Sequence, residues 1–137
     1  VPLSKWLVHA FGWLPAIAAM VLIFVISSGP APEFMHHQVF DLQDKALHAG
    51  AFFVLAFLFF RGILWSGYPP TRTAAWIAMG LAALYGATDE WHQSYVPSRT
   101  SDIDDWIADV FGALIVVMAC FPLARLLKWE KGFWRND

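Results

Sequence analysis

Cysteine is almost absent from this chain: Cys120 is the only one among 137 residues. A lone cysteine forms no internal disulfide and no Cys-based metal site, and its place in an apolar run marks it as packing. Charge is scarce as well, with 15% charged residues against 58% apolar and 17% aromatic. The net charge of −2 and the lack of any Lys/Arg run exclude a nucleic-acid partner. There is no HExxH, no GxSxG and no other strong catalytic signature, so the familiar zinc-protease and serine-hydrolase readings fall away. No repeat, low-complexity tract or composition break divides the chain. Residues 1–137 therefore read as one small all-helical membrane domain.

What the chain has in abundance is long apolar runs. Four stretches are long enough to cross roughly 30 Å of hydrocarbon at about 1.5 Å per residue. They cover residues 6–27, 44–65, 73–95 and 104–127. Pro15 is tolerated in the first as a kink. That first stretch is expected to be a retained anchor, since a signal peptide has a shorter apolar core and a stronger basic start. Orientation follows from counting Lys and Arg. Lys5, Arg61, Arg72, Arg125, Lys128, Lys131 and Arg135 fall on one side, and Lys45 and Arg99 on the other. The positive-inside rule then puts both termini in the cytoplasm.

This topology gathers the polar residues at the outer end. The segment from Tyr85 to Gly112 reads YGATDEWHQSYVPSRTSDIDDWIADVFG. An ionisable side chain at the centre of a membrane helix costs roughly 2.5–3.5 kcal/mol on insertion scales. Gly86, Asp89, Glu90 and Gln93 form one helical stripe at i+3 and i+4 spacing, and Asp105, Asp109 and Gly112 form another. Lys45 and His48 lie one turn apart at the start of the second span. Asp89 sits roughly 9 Å inside its helix end, which makes an outward-facing vestibule and not a midplane channel. The paired small residues Ala46 and Gly50, Ala82 and Gly86, and Ala108 and Gly112 are expected to let these helices approach closely. The first span carries no such stripe and reads as a peripheral support.

Electrostatics divides the acids. Asp44, Asp104 and Asp105 fall at helix N-termini, where the macrodipole favours a negative charge, and Asp44 and Asp104 read as caps. Asp89 and Glu90 fall near a helix C-terminus and need a cation, a metal or a proton. Arg99 is expected to be tied to one or more of these carboxylates, with Lys45 nearby. His36 and His37 read as a solvated loop, and His9 as interfacial.

Three parts of the chain together resemble the VanZ-like membrane proteins, a family named for a glycopeptide-resistance gene product. They are Asp44, Lys45 and His48 in DKxxH, the YGATDEWHQ segment with Asp89, Glu90 and Gln93, and VPSRTSDIDDWIADVFG with Arg99, Asp105, Asp109 and Gly112. Ser27 or Ser28 and the prolines after them fit more loosely. The family pattern often has Asn where this chain has Asp109. The resemblance implies a small multi-pass protein of the bacterial cytoplasmic membrane, some of whose relatives are linked to resistance against antibiotics such as teicoplanin. It implies no mechanism.

Three functions fit the residues. In the first, the vestibule binds a polar headgroup at the outer leaflet: a lipid-linked envelope precursor, an anionic lipid or a lipidated drug. Lys45 and Arg99 would hold phosphate or carboxylate, while Gln93, Asp105 and Asp109 satisfy hydroxyls and amides. In the second, the protein is an intramembrane hydrolase or transferase, with Glu90 or Asp89 as general base and His48 as general acid. No organic cofactor is expected. A divalent metal held among His48, Asp89, Glu90, Asp105 and Asp109 would serve the second function. The third is a purely structural partner protein, in which the ion-pair network only fixes helix packing.

Overall fold

A computed structural model describes residues 4–33 and 42–135, and every described element is helical. The elements are α1 (Lys5–Ser27), α2 (Gln43–Trp65), α3 (Arg72–Gln93), α4 (Ile103–Met118) and α5 (Cys120–Arg135). Helix α2 is the centre of the bundle. It packs against α1, α3, α4 and, at its end, α5. Its Phe52, Leu55, Ala56 and Phe60 are buried between those neighbours. On the first half of α3 the inward side is alanine, with Ala75, Ala78 and Ala82 fully buried. Small side chains let that helix lie close against α2 and α4.

By length and composition α1 and α2 are apolar enough to cross a membrane, and a third crossing is available if α4 and α5 are taken together. Helix α1 has 23 residues, or about 34 Å of axis. Its Leu14, Val21, Leu22 and Val25 are exposed on the outer side of the bundle. Apolar exposure of this extent suits contact with lipid tails. Helix α3 is long enough at 22 residues, but its small and polar residues keep it below the same apolar threshold.

The continuous span expected over 104–127 is broken. Helix α4 stops at Met118, and α5 leaves it at 73°. Pro122 is the physical reason: it has no N–H to give the Met118 carbonyl, and its ring crowds that turn. Helix α4 alone has 16 residues, about 24 Å of axis, short of the hydrocarbon thickness. Helix α5 buries Cys120, Ala124 and Leu127 while exposing Phe121, Leu126 and Trp129. That two-sided character suits a helix lying at a membrane surface.

Proline also explains a buried arginine. Pro15 has no N–H, so the Phe11 carbonyl lacks its helical partner. Arg61 Nη1 donates to that carbonyl at 2.6 Å and to the Gly12 carbonyl at 3.0 Å. The same guanidinium donates to Glu130 through Nε, at 3.0 and 3.1 Å, and through Nη2 at 2.7 Å. It also lies 4.2 Å from the Trp65 ring centroid. Arg61, which the charge count places on the cytoplasmic side, is thus a buried tie between α1, α2 and α5.

The hairpin between α2 and α3 turns at Gly67, whose φ of +99° belongs to the left-handed region. Thr71 then caps α3 by accepting the Ala74 N–H at 3.2 Å. Helices α1 to α4 run alternately up and down. Gly12, Arg61 and Glu130 meet at one end, while Ser27, Lys45, Asp89 and Asp105 meet at the other.

Candidate functional site

The polar stripes do converge. The C-terminal turns of α1 and α3, the N-terminal turns of α2 and α4 and the loop after α3 form one network.

Asp89, buried at 6% exposure, has both oxygens occupied. Oδ1 accepts the Ser27 hydroxyl at 2.6 Å, and Oδ2 accepts Gln93 Nε2 at 3.0 Å. The second bond is the i,i+4 pair expected of the α3 stripe. Ser27, in sequence only a loose match to the family pattern, is a site residue here; a single hydroxyl at the end of an apolar run has no period to mark it. Helix α1 is therefore more than a support: Ser27 is itself buried, and Ser28 Oγ lies 3.1 Å from His92 Nε2.

Glu90 turns toward the α3–α4 loop. Its Oε2 accepts the Asp102 backbone N–H at 2.9 Å and the Ser101 hydroxyl at 3.2 Å. Its Oε1 is buried and has no hydrogen-bond partner among the described residues. Asp102, and not Asp104, is the N-cap of α4, since its side chain accepts the Asp104 N–H at 2.9 Å. That N–H, with the Lys45 ammonium beside it, holds the Asp102 carboxyl below its ordinary range. Helix α2 is capped by Leu42 without a side-chain bond, so Asp44 lies in the first turn and does not cap.

Lys45 crosses from α2 to the start of α4. Its Nζ contacts Asp105 Oδ1 and lies 3.1 Å from Asp102 Oδ2. One turn further in, His48 Nδ1 lies 2.9 Å from Asp109 Oδ1, and Nε2 lies 3.7 Å from Asp105 Oδ2. Asp109 is 1% exposed, and its Oδ2 has no partner among the described residues. A Cβ on Gly86 would stand 3.0 Å from that oxygen. The absence of a side chain at Gly86 thus makes room for Asp109, which links the two stripes by contact.

Arg99 behaves otherwise than expected. Its Nε donates to the Gly29 carbonyl at 2.8 Å and its Nη2 to the Ile26 carbonyl at 2.8 Å, with no carboxylate among its described partners. Carbonyls at a helix C-terminus lack helical partners and attract a cation. Lys45 is the ammonium that meets the acids. Arg99 keeps further donors, since a guanidinium carries five N–H groups.

The small residues are only partly as expected. A Cβ on Gly112 would collide with the Ala49 backbone. One on Gly50 would meet nothing within 4 Å, and Ala46 is exposed, so this pair makes no close helix contact. His36 and His37 lie outside the described residues. Cys120 is buried at 1% exposure, as packing requires.

Between α1, α2 and α3 lies a cavity of about 210 Å³. Ile23, Ile26, Leu47 and Phe52 line its apolar part, and Ser27, His48, Asp89, Gln93 and Arg99 its polar part. Of the residues singled out on sequence, Lys45, Glu90, Asp105 and Asp109 stand behind this lining, joined to it through His48.

Residues 11–127 match the family model described as VanZ/LLP1, and the chain belongs to that family. No curated protein and no solved structure matches it.

Proposed function

We propose that this VanZ/LLP1 chain crosses the bacterial cytoplasmic membrane four times and handles a polar lipid headgroup at the outer leaflet. The observation that carries this reading is the cavity, apolar along Ile23, Ile26, Leu47 and Phe52 and polar at Ser27, Asp89, Gln93 and Arg99. An acyl chain suits the first part and a headgroup the second. Arg99 offers its remaining donors to a phosphate or carboxylate. Gln93 and Asp89 suit sugar hydroxyls and amides. A lipid-linked envelope precursor, an anionic lipid and a lipidated antibiotic all share this chemistry.

The outward placement is supported by charge. With Arg61 buried, Lys5, Arg72, Arg125, Lys128, Lys131 and Arg135 still oppose Lys45 and Arg99. Lys45 is also neutralised by Asp102 and Asp105. Both termini are then cytoplasmic, and α4 with the start of α5 serves as the fourth crossing.

The test is retention of lipid by the purified, delipidated protein, read by native mass spectrometry. A polyprenyl diphosphate and phosphatidylglycerol serve as probes, with phosphatidylcholine as the zwitterionic control. The native chain is expected to retain an anionic probe over the control. Arg99→Gln, while still folded, is expected to weaken that binding about 10- to 100-fold, the worth of one charge-assisted hydrogen bond. Equal retention of all lipids, or a folded Arg99→Gln that binds as the native chain does, contradicts the reading. In cells the same substitution is expected to abolish any protection the chain gives against teicoplanin.

A second reading, an intramembrane hydrolase or transferase, is favoured by one observation. Glu90 Oε1 is a buried carboxylate oxygen with no partner among the described residues, one short network away from the cavity. A general base at Glu90 with His48 as acid fits that arrangement.

A further inference from the structure

Behind the cavity wall the charges do not balance. Asp89, Glu90, Asp105 and Asp109 are all buried. The permanent cations nearby are Lys45, which is paired with Asp105 and Asp102, and Arg99, which bonds to Gly29 and Ile26 carbonyls; His48, when protonated, faces Asp109 and adds one more charge against the acids. Asp89 is satisfied by neutral donors from Ser27 and Gln93. Glu90 and Asp109 are left with one buried, unpartnered oxygen each among the described residues. A buried acceptor without a partner costs about 1–3 kcal/mol, and more when charged. Two buried carboxylates, each with an unpartnered oxygen and both close to one histidine, ask for a positively charged guest.

One ligand atom from each of His48, Glu90 and Asp109 lies within 4.8 Å of the other two. The three come from α2, α3 and α4, so the group exists only when the bundle is assembled. His48 carries the second feature of a built site. Its Nδ1 stands 2.9 Å from Asp109 Oδ1 and its Nε2 3.7 Å from Asp105 Oδ2. With the proton on Nε2, the side that faces Asp105, Nδ1 is left as the lone-pair donor beside Asp109. Carboxylates orient metal-bound histidines in this way.

We propose that His48, Glu90 and Asp109 bind one divalent transition-metal cation. One imidazole and two carboxylates favour Mn²⁺, Co²⁺ or Zn²⁺ over Mg²⁺ and Ca²⁺, which prefer all-oxygen shells. A second group, Asp44, His48 and Asp105, also lies within 4.8 Å, but Lys45 occupies Asp105. The first group is therefore the binding one. Because His48 also lines the cavity, the cation would stand one side chain away from whatever enters it. Three protein ligands with one open position is the arrangement of a working metal site, whereas structural sites are closed by a fourth. This inference does not rest on the headgroup reading, and metal binding is measured without lipid probes.

The experiment uses the full chain in detergent, stripped with EDTA and then offered Mn²⁺ or Zn²⁺. Elemental analysis after gel filtration is expected to give about one metal per chain, with a metal-dependent rise in melting temperature. His48→Gln, Glu90→Gln and Asp109→Asn should each weaken binding about tenfold or more, and Asp44→Asn should leave it unchanged. The metal-free melting temperature separates ligand loss from misfolding. Glu90→Gln removes a buried charge that has no ion-pair partner among the described residues, so without metal it should melt no lower than the stripped native chain. Nitrogen coupling in the spectrum of bound Mn²⁺ should vanish in His48→Gln. A native chain that takes up no stoichiometric Mn²⁺ or Zn²⁺ overturns the proposal, whatever the variants do. Unchanged metal content in all three variants overturns it too.

Discussion

Gly112→Ala is expected to lower stability by about 3 kcal/mol or more, and Gly112→Leu to prevent assembly of the bundle. A Cβ at Gly112 would stand 1.9 Å from the Ala49 carbonyl oxygen, 2.6 Å from its carbon and 2.7 Å from Ala49 Cα. These are backbone atoms, and no rotamer change moves them. Overpacking a core costs about 1–3 kcal/mol when side chains can give way, and more when they cannot. Helices α2 and α4 would have to part where they touch. Ala49 is the neighbour of His48, and Gly112 lies one turn beyond Asp109, so the separation would also open the 2.9 Å His48–Asp109 contact. Thermal unfolding in detergent is the readout. Gly50→Ala is the control, since nothing lies within 4 Å of a Cβ there, and it should stay within about 0.5 kcal/mol of the native chain. Equal tolerance of the two substitutions would mean that α2 and α4 do not meet as described.

The second large effect lies at the opposite end of the bundle. Arg61→Ala is expected to cost about 3 kcal/mol, because the bundle loses the buried guanidinium's charge-assisted hydrogen bonds to the half-buried Glu130 and to the Phe11 and Gly12 carbonyls together. It would leave Glu130 unpaired and return the Phe11 carbonyl, opposite Pro15, to its orphaned state. Arg61→Lys should recover little. An ammonium is a point donor and cannot hold Glu130 in two-toothed fashion while also reaching Phe11 and Gly12. The double change Arg61→Met with Glu130→Leu should recover much of the loss, since neither charge is then buried alone. Denaturant unfolding of the three variants decides this. Little change in Arg61→Ala would show that α5 is held to α2 by apolar contact alone.

Periodicity made the site legible in the sequence wherever it rests on helices. Stripes at i+3 and i+4 put Asp89 beside Gln93 and Asp105 above Asp109, and alternating helix direction put Lys45 and His48 opposite them. The rest depended on details that spacing does not carry. Arg99 sits in a loop, where reach is set by the path of the backbone, and charge pairing alone pointed it at the acids. The carbonyls left bare at the end of α1 were the better partners. Small-residue spacing identified Gly86 and Gly112 but also Gly50, because a short motif does not say which face of a helix is turned inward. Ser27 was hidden for a similar reason: a single hydroxyl has no period. Arg61 falls within the 44–65 span, near its cytoplasmic end, and a count of charges by side does not distinguish a buried guanidinium from an interfacial one. Pro122 should have signalled the break after Met118. The span over 104–127 rests on apolar length, which sets how far a segment reaches and not whether it stays straight.

In the proposed topology the polar site opens at the outer surface, and labelling of single cysteines in intact cells tests this most directly. Cys120 is first replaced by alanine, and a cysteine is placed at Ser98 or at Thr71, both exposed and at opposite ends of the bundle. An impermeant thiol reagent is expected to label the Ser98 variant in intact cells, and to label the Thr71 variant only after the membrane is permeabilised. Labelling of Thr71 in intact cells, with Ser98 protected, would turn the site toward the cytoplasm and contradict the account.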